Sequence, residues 1–297
     1  VVNLLYNIVD RIYIGHIPVV GKTALTGLGV SFPILMLVSA FAAFSGMGGA
    51  PLASIRLGAG DRKGAEQILG NSTTLLLGTA AVLTVFFSLF KRPLLMAFGA
   101  SEDTVGYALE YLSIYLLGTV FVQLALGLNT FISAQGKALT SMLSVLIGAV
   151  LNIVLDPIFI FGFQMGVRGA ALATILSQAV SACWVVGFLC TKRSGLRIRL
   201  ANMALKKEIV SRIAALGVAP FIMQSTESLV TVVLNSSLQT FGGDLYVGTL
   251  TIMQSVMQMV EGKLHGVLNG IDMERYDPAS DPNLTANYSL RRMAGKA

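Results

Sequence analysis

Three acidic residues stand inside long apolar stretches of this chain: Asp10, Asp156 and Glu227. Asp10 lies in LYNIVDRIYIG with Tyr6 four residues before it, and Asp156 lies in LNIVLDPIFIFG with Asn152 four residues before it. Residues four apart share a helix face, so two separate helices each offer a carboxylate with a polar neighbour one turn away. A charge at the centre of a bilayer costs at least ~3 kcal/mol and as a rule marks function. Two carboxylates facing one cavity either share a proton or hold a cation between them. That is the electrostatic requirement of a proton- or sodium-coupling site. The plainer reading pairs Asp10 with Arg11 near an interface and puts Asp156 at a helix end before Pro157. Glu227 follows Pro220 by seven residues in a stretch without basic residues. It fits a second cation-binding or substrate-binding group, and equally a neutral acid hydrogen-bonded to Gln224 or Thr231.

The elements that carry these residues are membrane spans. Hydrophobic residues make up 54% of the chain and charged residues 12%, where a soluble domain carries about 25% charged residues. No Asp, Glu, Lys or Arg occurs between Lys22 and Arg56, from Gln67 to Phe90, from Tyr111 to Gly136, or from Gly169 to Thr191. Each run supplies the roughly 20 apolar residues that cross a bilayer as a helix, and in lipid the backbone must satisfy itself internally. The alternation of a transmembrane β-barrel is missing. The sequence predicts an all-α polytopic membrane protein with eight spans, at about 1–16, 24–55, 64–91, 105–134, 138–162, 168–191, 208–241 and 245–260. Gly46, Gly48 and Gly49 suit close helix contact. Met253, Met257 and Met259 suit packing better than a promiscuous pocket.

Orientation follows from the basic residues, which collect on cytoplasmic loops. Loops after even-numbered spans hold eleven Lys and Arg, most of them between Lys192 and Arg212, and loops after odd-numbered spans hold four (Lys22, Lys91, Arg92 and Arg168). The even-numbered loops are therefore cytoplasmic. This loop placement, without interleaved aromatics, argues against a nucleic-acid partner despite the net charge of +6. Cys183 and Cys190 share one apolar helix and form neither a disulfide framework nor a metal set. No P-loop, zinc spacing, nucleophile elbow or dinucleotide fingerprint occurs, so neither ATP-driven transport nor an enzyme is supported, and no cofactor is expected. A weak repeat at an offset of roughly 220 residues relates the exit of span 1 to the exit of span 7, as transporter repeats do. The chain begins without Met, and its natural N-terminus is expected upstream.

The chain resembles the multidrug and toxic compound extrusion (MATE) family over about residues 1–260. The likeness rests on LYNIVDRIYIG, VSFP, RLGAGD, SAQGKALTSM, LNIVLDPIFIFG, GVRGAALAT and GVAPFIMQSTES, in order and at matching span positions. The resemblance implies a twelve-helix, two-lobe antiporter in the cell membrane. It would expel cationic or amphipathic compounds against inward H⁺ or Na⁺, and would be monomeric at full length. It implies a first lobe at 1–191, a basic inter-lobe loop at 192–207 and the start of a second lobe at 208–260. Carried over by motif, Asp10 and Asp156 become the cation-coupling carboxylates, with Tyr6, Asn152 and Thr174 as polar partners; Glu227 lies near a second-lobe carboxylate of some branches. Residues 261–297 resemble a segment of bacterial glycogen (starch) synthases instead, which implies a chimeric join and no part in the transporter fold. The competing readings are a non-functional fragment, a lipid-linked oligosaccharide flippase of the same superfamily, and, from the tail alone, a glycosyltransferase.

Overall fold

A computed structural model describes residues 2–191 and 194–268, with side chains for 9–191 and 194–257. Lys192, Arg193, the side chains of Tyr6 and Met259, and the glycogen-synthase-like segment from residue 269 onward lie outside the described residues. Every regular element among the described residues is helical. In chain order these are α1 (Val2–Gly15), α2 (Gly21–Gly58), α3 (Arg62–Ala97), α4 (Glu102–Leu117), α5 (Thr119–Ala134), α6 (Ala138–Pro157), α7 (Val167–Cys190), α8 (Lys207–Gly242) and α9 (Asp244–Leu268).

Five of them, α2, α3, α6 with its continuation to Gly162, α7 and α8, are long and apolar enough to cross a membrane. The pair α4 and α5 makes a sixth span, bent by 59° at its junction. The sequence reading runs 105–134 as one unbroken span. The break falls at Gly118, where a Cβ would run into the side chain of Ile175 on α7. A glycine is needed there for packing and interrupts the helix at the same time. A second difference lies at the other end. The span expected to stop at 260 continues as helix through Glu261 and Lys263 to Leu268.

Large apolar side chains point outward along α3 (Val82, Val85, Leu89), α6 (Val150, Val154) and α8 (Leu229, Val233). This is an apolar belt of the kind lipid covers. Met253 and Met257 belong to it, each about half exposed. Inside, two apolar cores form, one around Leu28, Tyr111, Leu112 and Val167 and one around Leu69, Leu128, Phe131 and Ile213. By position along the helices they fill opposite halves of the bundle, the second on the side of the basic loops.

The central helix α2 packs against α8 along much of its length. A Cβ on Gly48 would strike the Ile213 carbonyl and come within 3.0 Å of Gly217 Cα, and one on Gly217 would strike the Phe44 carbonyl. Backbones approach this closely only where both residues are small. Further out, Pro33 has no N–H to give the carbonyl of Gly29, four residues earlier. Asn235 of α8 supplies the missing donor at 3.3 Å, and Ser228 donates to the Pro33 carbonyl at 2.9 Å.

At the end of the bundle that carries the basic loops, Asp61 caps α3 by accepting from the Gly64 N–H at 2.8 Å and also pairs with Arg56 at 2.8 Å. The Gly64 N–H first, and Arg56 second, hold the Asp61 carboxyl below the usual carboxylate range. The basic loop before α8 lies along α3. Buried Glu66 takes Arg199 at 3.2 Å and Arg62 at 3.4 Å, and Asn71 accepts from Lys206 N at 2.7 Å.

Candidate functional site

Asp10 sits about one and a half turns before the end of α1, buried at 6% exposure, with one carboxylate oxygen lacking any protein hydrogen-bond partner. Its neighbour Arg11 turns away. The guanidinium donates to the Thr251 carbonyl at 3.0 Å and to the Ser255 hydroxyl on α9, and lies over the Phe32 ring at 4.8 Å. Among the described residues Asp10 therefore forms no ion pair with Arg11, although the two charges are near enough to interact.

Asp156 is fully buried at the end of α6. The next residue, Pro157, cannot donate to the Ile153 carbonyl, and the helix loosens into a π turn over Ile158–Gly162. Such turns often accompany functional sites. One turn back, Asn152 donates to Asp156 Oδ1 at 3.2 Å and reaches Thr174 Oγ1 on α7 at 3.5 Å. Thr174 in turn lines one cavity with Asp10. Helices α1, α6 and α7 thus bring Asp10, Asp156, Asn152 and Thr174 to one place.

Tyr111 of α4 completes the group. It is 2% exposed and lines the same cavity as Asp10 and Thr174. Its ring stacks on Tyr115 with centroids 6.1 Å apart. The sequence reading does not single it out, although Tyr107, Tyr111 and Tyr115 recur at helical spacing in a span without basic residues.

The group opens onto a cavity of about 380 Å³ between this bundle and α8. Asp10, Tyr111 and Thr174 stand on one wall; Met223, Gln224 and Glu227 stand on the other, with Phe32, Met36 and Ser39 of α2 between. Glu227 is exposed to this space, and its backbone carbonyl, not its carboxylate, accepts from Thr231. A mostly apolar cavity of this size with a few convergent polar groups is the ordinary form of a small-molecule site. Methionines do line it, but they are Met36 and Met223 rather than those of α9. No cluster of three metal-ligating side chains occurs among the described residues.

A family model, MatE, matches residues 1–158, more than half of the chain. The chain belongs to the MATE family. MATE proteins are transporters rather than enzymes, and multi-pass proteins of the cell membrane. The chain is similar to the multidrug export protein MepA of Staphylococcus haemolyticus (strain JCSC1435), 28% identical over 269 residues that cover 91% of this chain and 59% of MepA. Among solved structures it is similar to an inward-facing multidrug resistance MATE transporter of the MOP superfamily, with a TM-score of 0.82 and 31% identity over 87% of this chain and 58% of that one. It is also similar to the MATE multidrug transporter DinF-BH, with a TM-score of 0.82 and 36% identity over 87% of this chain and 58% of that one. The chain spans a little under three fifths of the length of these MATE relatives.

Proposed function

We propose that this MATE chain forms the cation-coupling lobe and the facing wall of the substrate chamber of a multidrug efflux antiporter. The observation that carries the reading is the double position of Asp10. It lines the inter-helix chamber opposite Glu227, and it does so beside Thr174, which Asn152 joins to Asp156. A cation or proton arriving at the carboxylate pair changes the charge of the chamber wall that a cationic or amphipathic compound meets. Alternating access then couples the two, with inward H⁺ or Na⁺ movement driving the compound out. Asn152, Thr174 and Tyr6 serve as polar partners of the pair, and Glu227 as a second cation or substrate group. Residues 1–191 form the first lobe, 192–207 the inter-lobe loop and 208–260 the start of the second. The absence of basic side chains from the described chamber lining favours cationic cargo over the anionic headgroup that an oligosaccharide-lipid flippase handles.

The test is ion-driven efflux of a cationic dye from proteoliposomes, with Asp10→Asn and Asp156→Asn compared with the unmodified protein under imposed H⁺ and Na⁺ gradients. Each substitution should abolish gradient-driven efflux while leaving the protein folded and monodisperse. Unchanged efflux in both would remove the coupling assignment.

A further inference from the structure

A second cavity, of about 150 Å³, lies wholly within the first bundle, between α5, α6 and α7. Its walls include Asn129 and Ser133 of α5, Ser144 and Asn152 of α6, and Ser177 and Ser181 of α7. Several of these polar groups bond across helices. Ser181 donates to the Ser144 carbonyl at 2.9 Å, Ser144 donates to Asn129 Oδ1 at 3.1 Å, and Ser133 donates to Ser141 at 2.7 Å. Two members are left over. Ser177 Oγ and Asn152 Oδ1 have no protein hydrogen-bond partner, and both residues are 2% exposed. In a membrane interior such groups must find partners. A polar cavity of this volume holds about five waters at the volume each occupies in the liquid.

The position of this cavity gives it a direction. Asn152, at its outer end, touches Asp156 and Thr174. Ser133 and Ser144, at the other end, flank the turn at Lys137, on the side marked cytoplasmic by its basic residues. From Ser141 to Asp156 the polar face of α6 runs for about 22 Å. The space is well below the 300 Å³ or so that a drug-sized molecule needs, and apart from apolar patches at Leu126, Val145 and Ala149 its walls offer neutral hydroxyls and amides, with no charged side chain among them. Such walls suit a proton relayed along water, or a small monovalent cation.

We infer that the first lobe contains its own hydrated route by which the coupling cation leaves Asp156 for the cytoplasm, separate from the chamber that holds the substrate. This rests on the coupling role proposed above for the carboxylate pair, but its test does not require transport.

The test uses silver ion, a thiol-reactive monovalent cation of sodium-like size, in a background with Cys183 and Cys190 replaced by Ala. Single cysteines are placed at Ser181 and Asn152, and Gly60→Cys, on the exposed turn after α2, serves as the positive control. Inside-out vesicles are treated with silver, and the thiols that remain are counted with a maleimide mass tag after denaturation. Both buried cysteines should react from the cytoplasmic side. The route is then plugged in two independent ways, by Gly148→Leu, whose side chain would occupy the position of the Ser181 hydroxyl, and by Val145→Phe on the same wall. Whichever plugged protein folds should slow the reaction of Asn152→Cys by about 100-fold, the rate penalty of carrying a charge through a dry wall. No reaction at Ser181→Cys while the control reacts would show a dry cavity and overturn the inference. An unchanged Asn152→Cys rate in the plugged proteins would overturn it too, because the ion then arrives through the inter-lobe chamber. If Asp10→Asn and Asp156→Asn leave efflux intact while this reactivity pattern holds, the coupling proposal fails and the hydrated route stands.

Discussion

The contact between α2 and α8 offers a sharp energetic test. Pro33 leaves the Gly29 carbonyl without its helical donor, and Asn235, itself 2% exposed, fills the gap at 3.3 Å. Removing that donor strands a buried acceptor, which costs about 1–3 kcal/mol in proteins generally. Polar contacts between membrane helices average nearer 0.6 kcal/mol and reach about 1.7. The bond here is long, so Asn235→Ala should destabilise by about 1–1.5 kcal/mol. The decisive comparison is made in a Pro33→Ala background. Alanine restores an N–H at position 33 that can reach Gly29 by the ordinary helical bond. Asn235→Ala should then cost only its lost packing, and the two substitutions should couple by about 1 kcal/mol. Reversible unfolding in mixed detergent and dodecyl sulfate micelles, followed by fluorescence of Trp184 (the single tryptophan), measures each corner of the cycle. Equal costs in both backgrounds, within the roughly 0.3–0.5 kcal/mol scatter of independent sites, would refute the argument that proline created the need for Asn235.

Two further outcomes follow from the site and the cytoplasmic cap. Tyr111→Phe keeps the stacked ring but deletes a buried hydroxyl on the wall shared by Asp10 and Thr174; it should lower gradient-driven dye efflux by about tenfold, the worth of one buried polar contact, while dye binding measured by fluorescence polarisation stays constant. Asp61→Ala should destabilise α3 at neutral pH. Because the Gly64 N–H and Arg56 depress the folded-state value of Asp61, its contribution is fully present above the unfolded value of about 3.9 and fades as pH falls through the folded one. The stability gap between wild type and variant should stay flat from about pH 8 to 5 and close below about pH 4; a gap that closes near pH 6 contradicts the assignment.

The long helices were legible in the sequence because uncharged runs end at Lys, Arg and Gly; the ends of α7 and α8 fall within a residue or so of the expected positions, and α6 reaches its expected end at 162 only through the π turn after Pro157. Spacing within single helices was equally informative: Asn152 bonds to Asp156 across one turn, as the four-residue interval implies. Features that depend on contact between helices were not visible. Gly118 reads as one more small residue until Ile175 is found against it. The charges at Glu261 and Lys263 read as the end of a span, yet a helix tolerates charge once it leaves the apolar layer. Serines are hardest to interpret, because a hydroxyl can always bond to the carbonyl one turn back in its own helix. Thr73 and Ser39 do this. The row Ser141, Ser144, Gly148, Asn152 and Asp156 on α6 was present in the sequence as a helical stripe, but its meaning comes from the matching row on α7.

That matching row also explains how two compartments can serve one carboxylate pair. Thr174 and Gln178 border both the serine-lined cavity and the larger chamber, so the partition between them is about one side chain thick. Asp10 faces the chamber side, and Asn152, with its bond to Asp156, faces the other. On the proposed reading, a bulky compound needs the whole of α8 and its wall to move before it can cross. A proton or a bare cation needs only a rearrangement at Thr174, Asn152 and Tyr111, within a rigid bundle. Separate paths let each passenger be stopped by a different barrier: the compound by shape, the cation by a dry or occupied carboxylate. Coupling then follows from the shared charge of Asp10 and Asp156 and requires no shared channel.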